Sequence, residues 1–185
     1  TWTMAAYDDL GNTTPYTTPW SFTMRGGIEG LTATNDSPTL LGETTTLSAT
    51  MVWGTNVNFS WDFGDSTFGF DQCINHVYPT AGVFEAELTT MNAVNTVIER
   101  TYVTIYEEHT IPPGGGTILT SDGVINLVAP QEINKTIILT YTPQISSTHN
   151  AGDFSFAGIY FHLNAVDESG DPITELTHPM TITLS

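Results

Sequence analysis

The chain has 185 residues and a formal net charge of −17, with 20 acidic side chains against three basic ones, Arg25, Arg100 and Lys135. That balance excludes nucleic acid, which needs a basic footprint, and disfavours anionic membrane surfaces. It suits cations, Ca²⁺ first, and it also keeps a protein soluble.

Helical periodicity is nearly absent. Short alternating runs separated by Gly, Pro, Asn and Asp predict an all-β chain built of sandwiches. Threonine, the commonest residue, forms strands with a polar face. No apolar run approaches the ~20 residues of a membrane-spanning helix, so no direct membrane insertion is expected, and no signal peptide is visible. The chain opens at Thr1 without an initiator methionine, the start expected of a processed or excised piece.

Residues 1–28 carry two strand-like runs, 1–7 and 20–24, joined by Asp8-Asp9-Leu10-Gly11-Asn12 and a Pro15-to-Pro19 stretch. They read as a partial hairpin or a pair of donor strands, since a lone hairpin is marginal in water. Residues 29–107 read as one sandwich, with strands at 39–51, 57–63, 82–91 and 96–106. Residues 108–116, with Pro112-Pro113 and Gly114-Gly115-Gly116, read as a linker that stiffens and then releases. Residues 117–185 read as a second sandwich, short of strands, with strands at 123–128, 136–142, 158–166 and 180–184.

The central zone holds a compound signature: Trp61-Asp62-Phe63-Gly64-Asp65, then His76, Tyr78 and Gly82 in the spacing H-x-Y-x-x-x-G. It closely resembles the PKD domain, an immunoglobulin-like β-sandwich of cell-surface and secreted proteins. The resemblance covers about 80 residues and implies tandem immunoglobulin-like sandwiches, an extracellular location and a non-catalytic role. It departs at Ser66, where a Gly usually follows the Asp, which bears on the local turn. The run W-T-M-A-A-Y-D-D-L-G-N-T…P-W-S-F-T resembles the last hairpin of an Ig-like repeat. The phrases around Val128-Ala129-Pro130, Thr136–Pro143 and His178–Leu184 more loosely resemble ZU5-like modules.

Two apart on one strand, Trp61 and Phe63 share a face and are expected in the core, with Asp65 accepting turn N–H groups. Cys73 stands alone, so no intrachain disulfide forms. An unpaired Cys of this kind is expected as a buried small hydrophobe. His76 is expected to be a hydrogen-bonded framework residue. Tyr160, His162 and Asn164 alternate and should share one face. Candidate Ca²⁺ ligands are Asn35, Asp36, Asp65, Asp167 and Asp171, although EF-hand spacing is absent and Asx-turn capping is the favoured reading of them. Sequons at Asn12, Asn35, Asn58 and Asn134 are candidate glycan acceptors. Candidate stacking aromatics are Trp20, Trp53 and Tyr160, with Trp53 at a loop edge before Gly54-Thr55-Asn56.

No nucleophile elbow, zinc-protease, P-loop or dinucleotide motif occurs, and adjacent carboxylates such as Glu107 and Glu108 would point to opposite faces of a strand. An enzyme is not expected. Two functions compete. In the first, the chain is a subunit or repeat segment of an extracellular filament, sheath or surface layer, joined head to tail to copies of itself or to other surface proteins by β-strand complementation. In the second, it is an accessory module that binds glycans or protein for a larger secreted protein.

Overall fold

The structure, a computed structural model, describes residues 10, 25–146, 152–156, 158–175 and 178–185. The strands expected at 1–7 and 20–24, and with them Trp20 and Asn12, lie outside the described residues. The described chain is all-β. Its strands are β1 (Thr32–Asn35), β2 (Thr39–Leu40), β3 (Thr45–Thr50), β4 (Asn58–Asp62), β5 (Phe68–Gly69), β6 (Cys73–His76) and β7 (Gly82–Met91). They continue with β8 (Thr96–Ile111), β9 (Gly116–Leu119), β10 (Ile125–Ala129), β11 (Ile137–Gln144), β12 (Asp153–Phe156), β13 (Ile159–Val166) and β14 (Thr181–Leu184).

Two sandwiches share one sheet. In the first, the sheet β1-β3-β6 faces β8-β7-β4-β5, with β2 pairing in parallel along β8. In the second, β14-β10-β9 faces β12-β13-β11 and the far end of β8. Period-2 patterning builds both cores, because alternate side chains of a strand point to opposite faces. On β3 the inward residues are Thr45, Leu47 and Ala49; on β11 they are Ile137, Leu139 and Tyr141. The first core gathers Trp61, Phe63, Tyr78, Leu88, Val103 and Ile105 around Leu47. The second gathers Ile111, Ile125, Leu127, Ile137, Leu139, Tyr141 and Phe161, and it also includes Ala81 from the end of the first unit.

Strand β8 runs 16 residues and belongs to both units. Its first part pairs with β7, from Thr96↔Met91 to Ile105↔Gly82. Its last part pairs with β11, from Glu107↔Tyr141 to Ile111↔Ile137. Most of the segment expected as a linker is therefore accounted for: residues 108–111 are strand, and the chain turns at Pro112–Gly115, where the Gly115 N–H donates to the Pro112 carbonyl.

Two further expectations change. Cys73 is exposed, because it starts the edge strand β6, and its Sγ lies 3.4 Å from Ser48 Oγ. Strands β5 and β6 occupy what the sequence presents as a loop; β5 has two residues, and β6 alternates over only four, with one apolar side chain, Ile74, packed against the core.

Candidate functional site

The turn after β4 is held by its own side chains. Asp62 Oδ1 accepts the Gly64 N–H at 2.9 Å, and Asp65 Oδ1 accepts the N–H of Thr67 at 3.0 Å and its hydroxyl at 2.5 Å. Gly64 has a φ of +80°, and a Cβ there would sit 2.6 Å from the Glu85 carbonyl oxygen of β7. Ser66 also adopts the left-handed region, at φ 73°, which is why a glycine suits that place in related turns. From β6, His76 Nε2 reaches Asp65 Oδ2 at 2.7 Å, and its ring stacks on Phe63 at 4.1 Å. Tyr78 meets the other side of His76 edge-on and donates its hydroxyl to the Phe63 carbonyl.

Burial pushes the Asp65 carboxyl upward, but the hydrogen bonds from Thr67 and His76 outweigh it and leave the group below its usual range. Burial, followed by the nearby Asp65 charge, drives the Tyr78 phenol well above its usual value. The polar contacts of this cluster hold the turn, so its role is architectural.

The second polar cluster sits where the two units meet. Glu107 continues the inward parity of Val103 and Ile105 along β8, so its carboxylate is buried, with 4% exposure. Its neighbour Glu108 faces out. Glu107 accepts the Ser121 N–H at 3.0 and 3.2 Å, and Ser121 Oγ accepts the Ala81 N–H at 2.7 Å. This chain of bonds links β8, the turn after β9 and the segment leading into β7. Asp122 adds to it, accepting the Tyr141 hydroxyl at 2.8 Å and the Thr120 hydroxyl at 2.6 Å. Burial first, then the bond to Asp122 and the charges of Asp122 and Glu107, push the Tyr141 phenol far above its ordinary value. His109 Nε2 lies 3.4 Å from Glu107 Oε1 but has no aligned hydrogen bond. The sequence does not reveal this cluster, because the alternating run expected as a strand stops at Tyr106. An acidic residue at an inward position of an alternating run was the available signal.

The other candidate residues are dispersed. Trp53 is 58% exposed in the first unit, its indole over the Gly26 backbone. Tyr160 lies in the second unit, half-buried on β13 opposite Gln144. His162 and Asn164 share its face, with His162 Nδ1 2.8 Å from Asp153 Oδ1.

The proposed metal ligands are not brought together: among the described residues no three His, Cys, Asp or Glu side chains converge. Instead Asn35 Oδ1 accepts the Ser37 N–H, Asp36 Oδ1 accepts the Thr46 N–H, and Asp167 Oδ1 accepts the N–H groups of Ser169 and Asp171. Asn35 also donates its amide to Thr101 and to the Tyr102 carbonyl, so its side chain is occupied. Asn58 and Asn134 are exposed.

These features define the first unit as an immunoglobulin-like sandwich whose identity is carried by its turn cluster, not by a reactive centre. Residues 30–105 match the family model of the PKD domain, consistent with a PKD domain at the centre of the chain. That family is non-catalytic and is a common adhesive and structural module of extracellular proteins, which supports an extracellular role. No curated protein matches the chain. Among the described residues no helix is long and apolar enough to cross a membrane.

Proposed function

We propose that the chain is a stiff structural segment of an extracellular filament, sheath or surface layer. The observation that carries this reading is β8. One strand of 16 residues, about 53 Å at the usual ~3.3 Å rise, contributes to both cores and is braced where it passes from one to the other by the Glu107–Ser121–Ala81 bonds. Two sandwiches joined this way transmit orientation and load, whereas units on a flexible linker reorient by default.

We further propose that segments join by strand complementation. Among the described residues, β14 pairs only with β10. Its inward residues Ile182 and Leu184, like Leu163 and Ile173 elsewhere around the second core, are only partly covered. A strand added from another chain would supply backbone partners and cover. Residues 1–24 of a second copy are the proposed donor, through the alternating run Trp20-Ser21-Phe22-Thr23-Met24. Such a contact is heterologous and propagates head to tail. Electron microscopy of the native material tests this. Filaments that disappear when residues 1–24 are deleted support it; filaments unchanged by the deletion, or only monomers, refute it.

A further inference from the structure

The outer face of the first unit's larger sheet is unusually apolar for a chain this acidic. Strand registers place its side chains in rows. One row runs Phe68, Asp62, Glu87, Arg100 across β5, β4, β7 and β8. Flanking rows pair Glu85 with Tyr102, Thr89 with Ile98, and Asn58 with Met91. Gly69 points into the core against Phe63 and Ile74, so Phe68 faces out, and Phe70 is exposed just past the end of β5. Phe68 and Phe70 are 64% and 75% exposed, and Met91, Ile98 and Tyr102 are each about half exposed. At the centre, Arg100 pairs with Glu85 at 3.1 Å and with Glu87, while Tyr102 donates to Glu85. The face thus carries three carboxylates against one cation, rimmed by five large exposed hydrophobes.

We infer that this face is a docking surface for a protein partner that presents Lys or Arg among aliphatic or aromatic side chains. Exposed apolar groups collected on one face mark interaction sites, and aromatic residues, Met and Arg are the types enriched at interface centres. The net negative charge selects a basic counterpart. A second copy is disfavoured, since both molecules would bring the same acidic centre and the same overall charge of −17. A glycan is disfavoured because Met91 and Ile98 offer no flat ring to stack on a sugar, Phe68 and Phe70 have no polar handle, and Tyr102 already donates its hydroxyl to Glu85. The inference is independent of strand complementation, which concerns the second unit.

The test is selection of a displayed random-peptide library on the full chain. The comparator is the double variant Phe68→Ser/Phe70→Ser, whose side chains are exposed enough that folding should survive, as circular dichroism would verify. The expected result is peptides rich in Lys or Arg with apolar residues, at least tenfold weaker on the double variant and on Glu87→Lys, and weakened by raising salt from 50 to 500 mM. Acidic or uncharged consensus peptides, or binding unchanged by the substitutions, would overturn it. So would failure to select any peptide. Self-association in sedimentation that the double variant abolishes would instead assign the face to a second copy, and glycan-array binding lost in the variant would assign it to carbohydrate; both contradict the proposal.

Discussion

Replacing Glu107 by Ala tests whether the junction is a brace. The carboxylate is 4% exposed and accepts the Ser121 N–H at 3.0 Å. A hydrogen bond to a charged group contributes about 1.5–3 kcal/mol net, and deleting the one buried methylene, Cγ, removes up to about 0.8 kcal/mol. Releasing a buried carboxylate returns part of this. The expected net loss is about 2 kcal/mol, and Glu107→Gln, which keeps an acceptor and the volume, should lose less than about 1 kcal/mol. Urea unfolding followed by tryptophan fluorescence and by far-UV circular dichroism reads the effect. Trp53 and Trp61 lie in the first unit, yet the damage is at the junction, so both probes should shift together if the units unfold as one. A loss below about 0.5 kcal/mol for the Ala variant, or two separate transitions in the unmutated chain, would refute the reasoning.

Other outcomes follow from the turn cluster and the exposed thiol. Gly64→Ala should cost at least about 2 kcal/mol, from the left-handed backbone and the clash with the Glu85 carbonyl, whereas Ser66→Gly should be neutral or stabilising by up to about 1 kcal/mol; chemical denaturation separates them. Asp65 is depressed in the folded state, so the stability it contributes is fully present above its ordinary value of 3.8 and is lost as pH falls through its lower folded value. Asp65→Asn should flatten that acid limb of stability against pH, and an unchanged limb would contradict the assignment. Cys73 should react stoichiometrically with a thiol reagent in the native state; protection until unfolding would contradict its exposure.

The sequence made much of the first unit legible because its signature residues each have one dominant physical use. Trp61 and Phe63 are fully buried, Asp65 caps its turn, and His76 bonds to Asp65. Short edge strands were not legible: β5 has two residues, and β6, Cys-Ile-Asn-His, presents one inward apolar side chain. The junction was hidden by a different cause. Beyond Tyr106 the run Glu107-Glu108-His109-Thr110 looks polar, yet Glu107 keeps the inward parity and is compensated by backbone donors that only the fold supplies. The acidic side chains suggest a cation site, but three of the candidates, Asp36, Asp65 and Asp167, cap N–H groups, a local use that composition does not distinguish from metal binding. The exposed Phe68 likewise depends on Gly69 setting the parity of β5.

The account rests on β8 fixing the two sandwiches to each other, and residual dipolar couplings of backbone amides in the full chain test that most directly. Couplings from residues 30–105 and from residues 117–185 should fit one alignment tensor of common magnitude and orientation. Two tensors of different magnitude would show that the units reorient independently, and the stiff-segment reading would then be wrong.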